Sequence, residues 1–291
     1  MRHRKLYLTM VLAGFLLLSV PFSQKAGEAR TLASETPSGK EVSDNRCEDF
    51  QELKHPEAED SLEIFLLIGQ SNMAGRADLE TYGKDTLDRV FLYTGKEGNE
   101  WDYASGPLNR YSTVRKELAM QKLGPGNSFA REMADAMPDN RIGLVVNARG
   151  GTSIDEWVPG SDLYIEALQR AGDASKFGTI RGIIWHQGES DVSRSEQYMD
   201  KLVHLITSFR QDLGLPGLPF VAGQLSEDKP ERAVFNRMIL SLPSRLPFTA
   251  VISSEGTSTF DQTHFDAASQ NLLGIRYAAE IKSLIGLPES K

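Results

Sequence analysis

The chain has one cysteine in 291 residues, five histidines and three tryptophans. A lone Cys47 excludes an internal disulfide, and its surroundings lack the small residues that precede a lipidated cysteine. Zinc-type ligand spacing is missing as well. His186 and Glu189 stand three apart, but no partner histidine pair accompanies them, so neither a metal nor a cofactor is expected. There is no phosphate-loop or dinucleotide fingerprint, since Gly124-Pro125-Gly126 is short and contains proline. Excess positive charge is absent too. The net charge is −8, which disfavours nucleic acid and anionic membrane surfaces as partners.

Only one long hydrophobic run occurs, and it is at the start. Residues 1–5 are basic and residues 6–22 apolar, the pattern of a secretory signal. Cleavage after Ala29 would remove a net +3, and −8 less +3 leaves −11 on the mature chain. Retention as an anchor is the alternative, although Thr9, Gly14, Ser19 and Pro21 make the run a mediocre span. A secreted or periplasmic location follows, with membrane contact only if the segment stays uncleaved. Residues 30–61 are rich in Glu, Asp, Lys, Ser and Thr, and are expected to be a disordered polar tether. A single folded domain is expected over residues 62–287. Oligomeric state cannot be read from the sequence.

Within that domain, apolar runs at 64–68, 90–93, 142–147, 182–186, 220–223 and 250–253 read as strands. Helical patterns lie between them at 128–137, 162–171 and, most clearly, 196–213, which Gly214 ends. Alternation of this kind predicts an α/β fold, a three-layer α/β/α sandwich on a mostly parallel sheet. Residues 94–126 read as an irregular, glycine-rich insertion. Its Trp101 and Tyr103, like Trp157 further on, are either sugar-facing walls or packing plugs, and packing is the commoner use. Trp185 sits in an apolar strand and is expected in the core.

Candidate chemistry gathers at the strand ends. The run from Ile64 to Ile68 stops at Gly69-Gln70-Ser71-Asn72-Met73, delivering one hydroxyl to the sheet edge, where ligands of parallel sheets bind. The alternative role for Ser71 is to cap the following helix. Far away, Asp261-Gln262-Thr263-His264 places a carboxylate three residues before a histidine, a pair able to orient an imidazole as general base for a serine. Ser71, Asp261 and His264 are therefore the candidate nucleophile, acid and base. The Gly150-Gly151 turn offers the amide of Gly151 to an oxyanion beside that of Ser71, and Gln187 could add a side-chain donor. Glu189 competes with Asp261 as the supporting acid.

These blocks resemble the SGNH hydrolases, and within them the carbohydrate esterase family 6 and sialate O-acetylesterase-like group. The matching segments are Gly69-Gln70-Ser71-Asn72-Met73, Gly150-Gly151, Trp185-His186-Gln187-Gly188-Glu189 and Asp261-Gln262-Thr263-His264-Phe265. Gly124-Pro125-Gly126-Asn127-Ser128-Phe129-Ala130 is similar to the loop that begins a family helix. The resemblance implies a serine esterase that removes O-acetyl groups from acetylated poly- or oligosaccharide, such as acetylxylan or O-acetylated sialic acid. One departure is Gln187, where the wider superfamily carries asparagine. Two rival functions remain. A non-catalytic carbohydrate-binding protein would leave Ser71 unlabelled by a phosphonate, and a lipid or thioester hydrolase would prefer octanoyl to acetyl esters.

Overall fold

A computed structural model of the protein describes residues 61–79 and 83–287. The signal segment and Cys47 lie outside these residues, as does the polar tether apart from Ser61.

Seven strands form one sheet. They are β1 (Leu62–Gly69), β2 (Val90–Lys96), β3 (Asn99–Tyr103), β4 (Arg141–Ala148), β5 (Gly178–His186), β6 (Phe220–Gly223) and β7 (Thr249–Ile252). Their order is β3-β2-β4-β1-β5-β6-β7, parallel throughout except for the β2–β3 pair. All eight residues of β1 are buried because both faces are covered. Leu62, Ile64, Leu66 and Ile68 point into one core, while Phe65 and Leu67 point into the other, as the two-residue period of a strand requires.

Helices supply the outer layers. In chain order they are α1 (Ser71–Ala74), α2 (Gly126–Ala136), α3 (Asp162–Ala174), α4 (Ser195–Asp212), α5 (Arg232–Ile239), α6 (Leu242–Arg245) and α7 (Ala267–Leu284). Leu163 and Ala167 of α3, Leu202 and Phe209 of α4 and Phe235 of α5 fill the first core. Phe129 and Met133 of α2, with Leu273, Tyr277 and Ile281 of α7, fill the second. The result is the expected three-layer sandwich. Asp266 caps α7, its Oδ1 accepting from Ser269 N at 2.8 Å, which fixes where the preceding loop must end.

The insertion at 94–126 is more regular than its composition suggests. It contains β3, an antiparallel edge strand turned back on β2 through Glu97 and Gly98, with Lys96 opposite Asn99. Gly98 has φ +74°, and a two-residue turn with glycine in that region is a hairpin signal. Trp101 is buried there, edge-on to Tyr93 at 5.2 Å and to Phe177 at 6.1 Å, and Trp157 packs edge-on to Trp185 at 5.3 Å. Neither Trp101 nor Trp157 is a sugar wall; both are core. Helices α5 and α6 are additions to the sequence reading. Among the described residues no helix is long and apolar enough to cross a membrane.

Candidate active site

β1 lies at the centre of the sheet with β4 on one side and β5 on the other, so a crevice opens beyond its carboxyl end. Gly69 closes the strand at φ +137°, and a Cβ there would sit 2.3 Å from the His186 carbonyl oxygen. Only glycine permits this exit. Gln70 N then donates to that same carbonyl at 2.9 Å, and Ser71 begins α1, with Gln70 rather than Ser71 in the capping position.

The loop between β7 and α7 meets this serine. Asp261 Oδ1 accepts from Thr263 N at 3.0 Å and His264 N at 2.7 Å, a side-chain turn that aspartate favours. Its Oδ2 lies 2.6 Å from His264 Nδ1, and His264 Nε2 lies 3.0 Å from Ser71 Oγ. Burial raises the Asp261 pKa, but the His264 backbone and imidazole and the Thr263 amide outweigh it and hold the carboxyl below its ordinary value. A carboxylate on Nδ1 keeps that proton in place and leaves Nε2 as the acceptor for the serine hydroxyl.

No hydrogen bond or ion pair joins Glu189 to His264, whose ring nitrogens meet Asp261 and Ser71. The Glu189 carboxylate accepts from Gln70 Nε2 and, at 2.5 Å, from Asn72 Nδ2, so it braces the two neighbours of Ser71. Asn72 reaches further. Its Nδ2 also donates to Thr263 O at 3.1 Å, and its Oδ1 accepts from Phe265 N at 3.2 Å. The serine turn and the histidine loop are thereby locked together by one amide.

The Gly150–Gly151 turn forms the opposite wall. A Cβ on Gly150 would lie 3.2 Å from Ser71 Cβ, and Gly151 has φ +77°. Gln187, by contrast, is withdrawn from the cleft. Fully buried, it donates from Nε2 to Thr152 O at 2.9 Å and to Asp191 Oδ2 at 2.6 Å, and Asp191 in turn accepts from Ile154 N at 3.0 Å. In this structure it holds the glycine turn from behind rather than facing the serine. Burial pushes the Asp191 pKa up, against the hydrogen bonds from Gln187 and Ile154 and the charge of Arg194.

His186 also lies behind the site. Its Nδ1 is 2.9 Å from the Tyr277 hydroxyl, which itself donates to Trp185 O at 2.8 Å, so Nδ1 carries the proton and Nε2 is left without a partner.

Around Ser71 and His264 opens a cleft of about 410 Å³, within the usual range for a small-ligand site. Arg76, Lys116, Lys229 and Arg232 line it, none of which the sequence reading singled out. Arg76 lies five residues beyond Ser71, but Lys116 comes from a second segment and Lys229 and Arg232 from a third, neither with a motif of its own.

Concave, and furnished with a hydroxyl, an imidazole and a carboxylate in series at the edge of a parallel sheet, the site has the make-up of a hydrolase. The family described as "Carbohydrate esterase, sialic acid-specific acetylesterase" matches residues 61–283, and the chain belongs to it. It is thus an enzyme, an esterase of carbohydrate acetylesterase type. A probable carbohydrate esterase of Arabidopsis thaliana is 35% identical over 177 residues, covering 55% of this chain and 67% of the relative. A crystal structure of a protein from the same plant aligns with 27% identity and TM-score 0.69, over 77% of this chain and 98% of that one. A carbohydrate acetylesterase from Xanthomonas citri shares the fold at 20% identity and TM-score 0.55, over 76% and 56% of the two chains.

Proposed function

We propose that the protein is a secreted serine esterase that removes O-acetyl groups from acetylated poly- or oligosaccharide through an acyl-enzyme on Ser71. The observation that carries this reading is the series Asp261 Oδ2 to His264 Nδ1 at 2.6 Å and His264 Nε2 to Ser71 Oγ at 3.0 Å, opening on the cleft.

Ser71 Oγ attacks the acetyl carbonyl carbon while His264 Nε2 takes its proton, and Asp261 stabilises the imidazolium. The amides of Ser71 and Gly151 hold the tetrahedral oxyanion, where one lost donor raises the barrier by roughly 2.7–4 kcal/mol. Collapse breaks the bond to the sugar oxygen, which receives the His264 proton. Water then attacks the acetyl-serine with His264 again as base, releasing acetate and restoring the serine proton. Gln70, Glu189, Ser190 and Thr263 in the cleft lining offer hydrogen-bonding groups suited to sugar hydroxyls. An acetylated carbohydrate outside the cell fits the leader pattern of residues 1–29.

The test is acetate release from acetylated saccharides and p-nitrophenyl acetate by wild type and Ser71→Ala, with folding checked by circular dichroism. Wild type is expected to turn over and to take a phosphonate label on Ser71. Retained turnover in Ser71→Ala would sink the assignment.

A further inference from the structure

The chain is acidic overall, net −8, yet the sign reverses in the cleft. Its lining holds four cations, Arg76, Lys116, Lys229 and Arg232, against Glu189, whose carboxylate is occupied by the Gln70 and Asn72 amides. Among the described residues none of the four forms an ion pair. Nearby Glu227, Asp228 and Glu231 are exposed and do not line the cleft, and Asp228 accepts from the Thr259 hydroxyl.

Arg232 sharpens the point, because it is only 3% exposed. Its guanidinium donates to Ser226 and, at 3.2 Å, to Thr263 Oγ1, all neutral acceptors. Arg76 likewise donates only to the Gly75 and Met120 carbonyls, at 2.6 and 3.0 Å. Burying a cation without an anion is unfavourable, so a negative group entering the cleft is strongly attracted.

The four also occupy two walls. A Cβ on Gly150 would lie 2.6 Å from Arg76 Nη2, and one on Gly151 would lie 3.3 Å from Lys116 Nζ, so this pair flanks the glycine turn. Arg232, with Lys229 three residues before it, flanks Thr263 and the histidine loop. Ser71 lies between the walls.

Resting on the acetylesterase reading above, we infer that the substrate is a polyanionic glycan whose sugar units on both sides of the acetylated one carry carboxylates, as in an acetylated polyuronate. A single terminal acidic sugar engages one wall; a polyuronate chain crossing Ser71 engages both.

The test compares acetate release by the purified full chain from acetylated oligogalacturonide, O-acetylated N-acetylneuraminic acid and acetylated xylo-oligosaccharide. At low salt, kcat/KM for the oligogalacturonide is expected to exceed that for the neutral xylo-oligosaccharide roughly tenfold or more. Raising ionic strength from about 0.01 M to about 1 M, which shortens the screening length from roughly 30 Å to roughly 3 Å, should close that gap. Lys116→Gln and Lys229→Gln, both outside the folded core, should each lower the ratio of acidic to neutral kcat/KM about threefold, the size of one exposed charge pair, mainly through KM. Equal rates on acidic and neutral esters overturn the inference alone. So does an equal loss on both in the lysine variants, which would place the cations in the ester chemistry. Preference for the sialic acid ester over the oligogalacturonide overturns the use of both walls. No release from any ester removes the esterase reading and this inference with it.

Discussion

Asn72 donates a hydrogen bond to the carbonyl of Thr263 at 3.1 Å across 191 residues of sequence, tying the residue after the serine to the residue before the histidine. The bond keeps side by side the two segments that carry Ser71 and His264, whose contact is 3.0 Å.

Asn72→Ala should therefore leave the buried Phe265 N without its acceptor and take one partner each from Thr263 O and Glu189 at the cleft. Each orphaned buried group costs roughly 1–3 kcal/mol. Urea unfolding is expected to show a loss of at least that size, with kcat falling further than KM rises. Wild-type turnover in a destabilised variant would show that the loop is positioned by other contacts.

Asp261→Asn and Glu189→Gln separate orientation from bracing. Removing the carboxylate that fixes an imidazole tautomer lowers turnover by about four orders of magnitude in the serine proteases, and the 2.6 Å contact puts Asp261 in that position. Glu189→Gln keeps the side-chain size and one carbonyl acceptor, so a smaller loss is expected. The two kcat values, measured on variants shown to fold, decide it; a near-normal Asp261→Asn would hand the supporting role to Glu189.

Gln187→Ala removes the donor to Thr152 O and Asp191 Oδ2. Because Gln187 acts from behind the turn, activity is expected to fall less than the roughly hundredfold or more that follows loss of a direct oxyanion donor. The melting temperature should drop as well, since a buried carboxylate loses a partner. A larger loss of kcat at unchanged stability would mean the amide reaches the oxyanion during turnover.

Burial pushes the His186 pKa below its ordinary value, with a smaller opposing pull from the charge of Glu189. The unfolded chain, with an ordinary value near 6.5, then binds the proton more readily than the folded one. This stability is fully present above about pH 6.5 and is lost as pH falls through the folded value. Urea titrations between about pH 5 and 7.5 should show wild type weakening toward acid while His186→Gln stays flatter over that window. Parallel slopes would place the sensitivity elsewhere.

Much of this architecture was readable from short-range pattern. The core strands and the helices at 128–137, 162–171 and 196–213 appear within a few residues of their expected bounds, because strand and helix periods are local properties. Trp101 and Trp157 went to the core, the commoner reading. β3 was hidden because Glu97-Gly98 joins two strands in which polar residues interrupt the alternation. Ser71, Asp261 and His264 stood out through their neighbours, and the structure brings all three together. Gln187 was legible as a residue but not as a direction, since which way a side chain turns at a strand end depends on partners such as Thr152. The bracing by Asn72 and the cations at Lys116, Lys229 and Arg232 left no trace in sequence. Their meaning comes only from segments far apart meeting at one cleft.

The hydroxyl and the imidazole stand at opposite ends of the domain's sequence, one after the first strand and the other after the last, 193 residues apart. A nascent chain that has emerged only through β7 holds a serine with no base. On the proposed mechanism, hydrolysis therefore needs the segment that follows β7, whose helix α7 packs against α2. On that mechanism a product truncated after β7 would keep the central strand and its serine but lack the imidazole, and a serine-reactive probe should label it far more weakly than the longer chain.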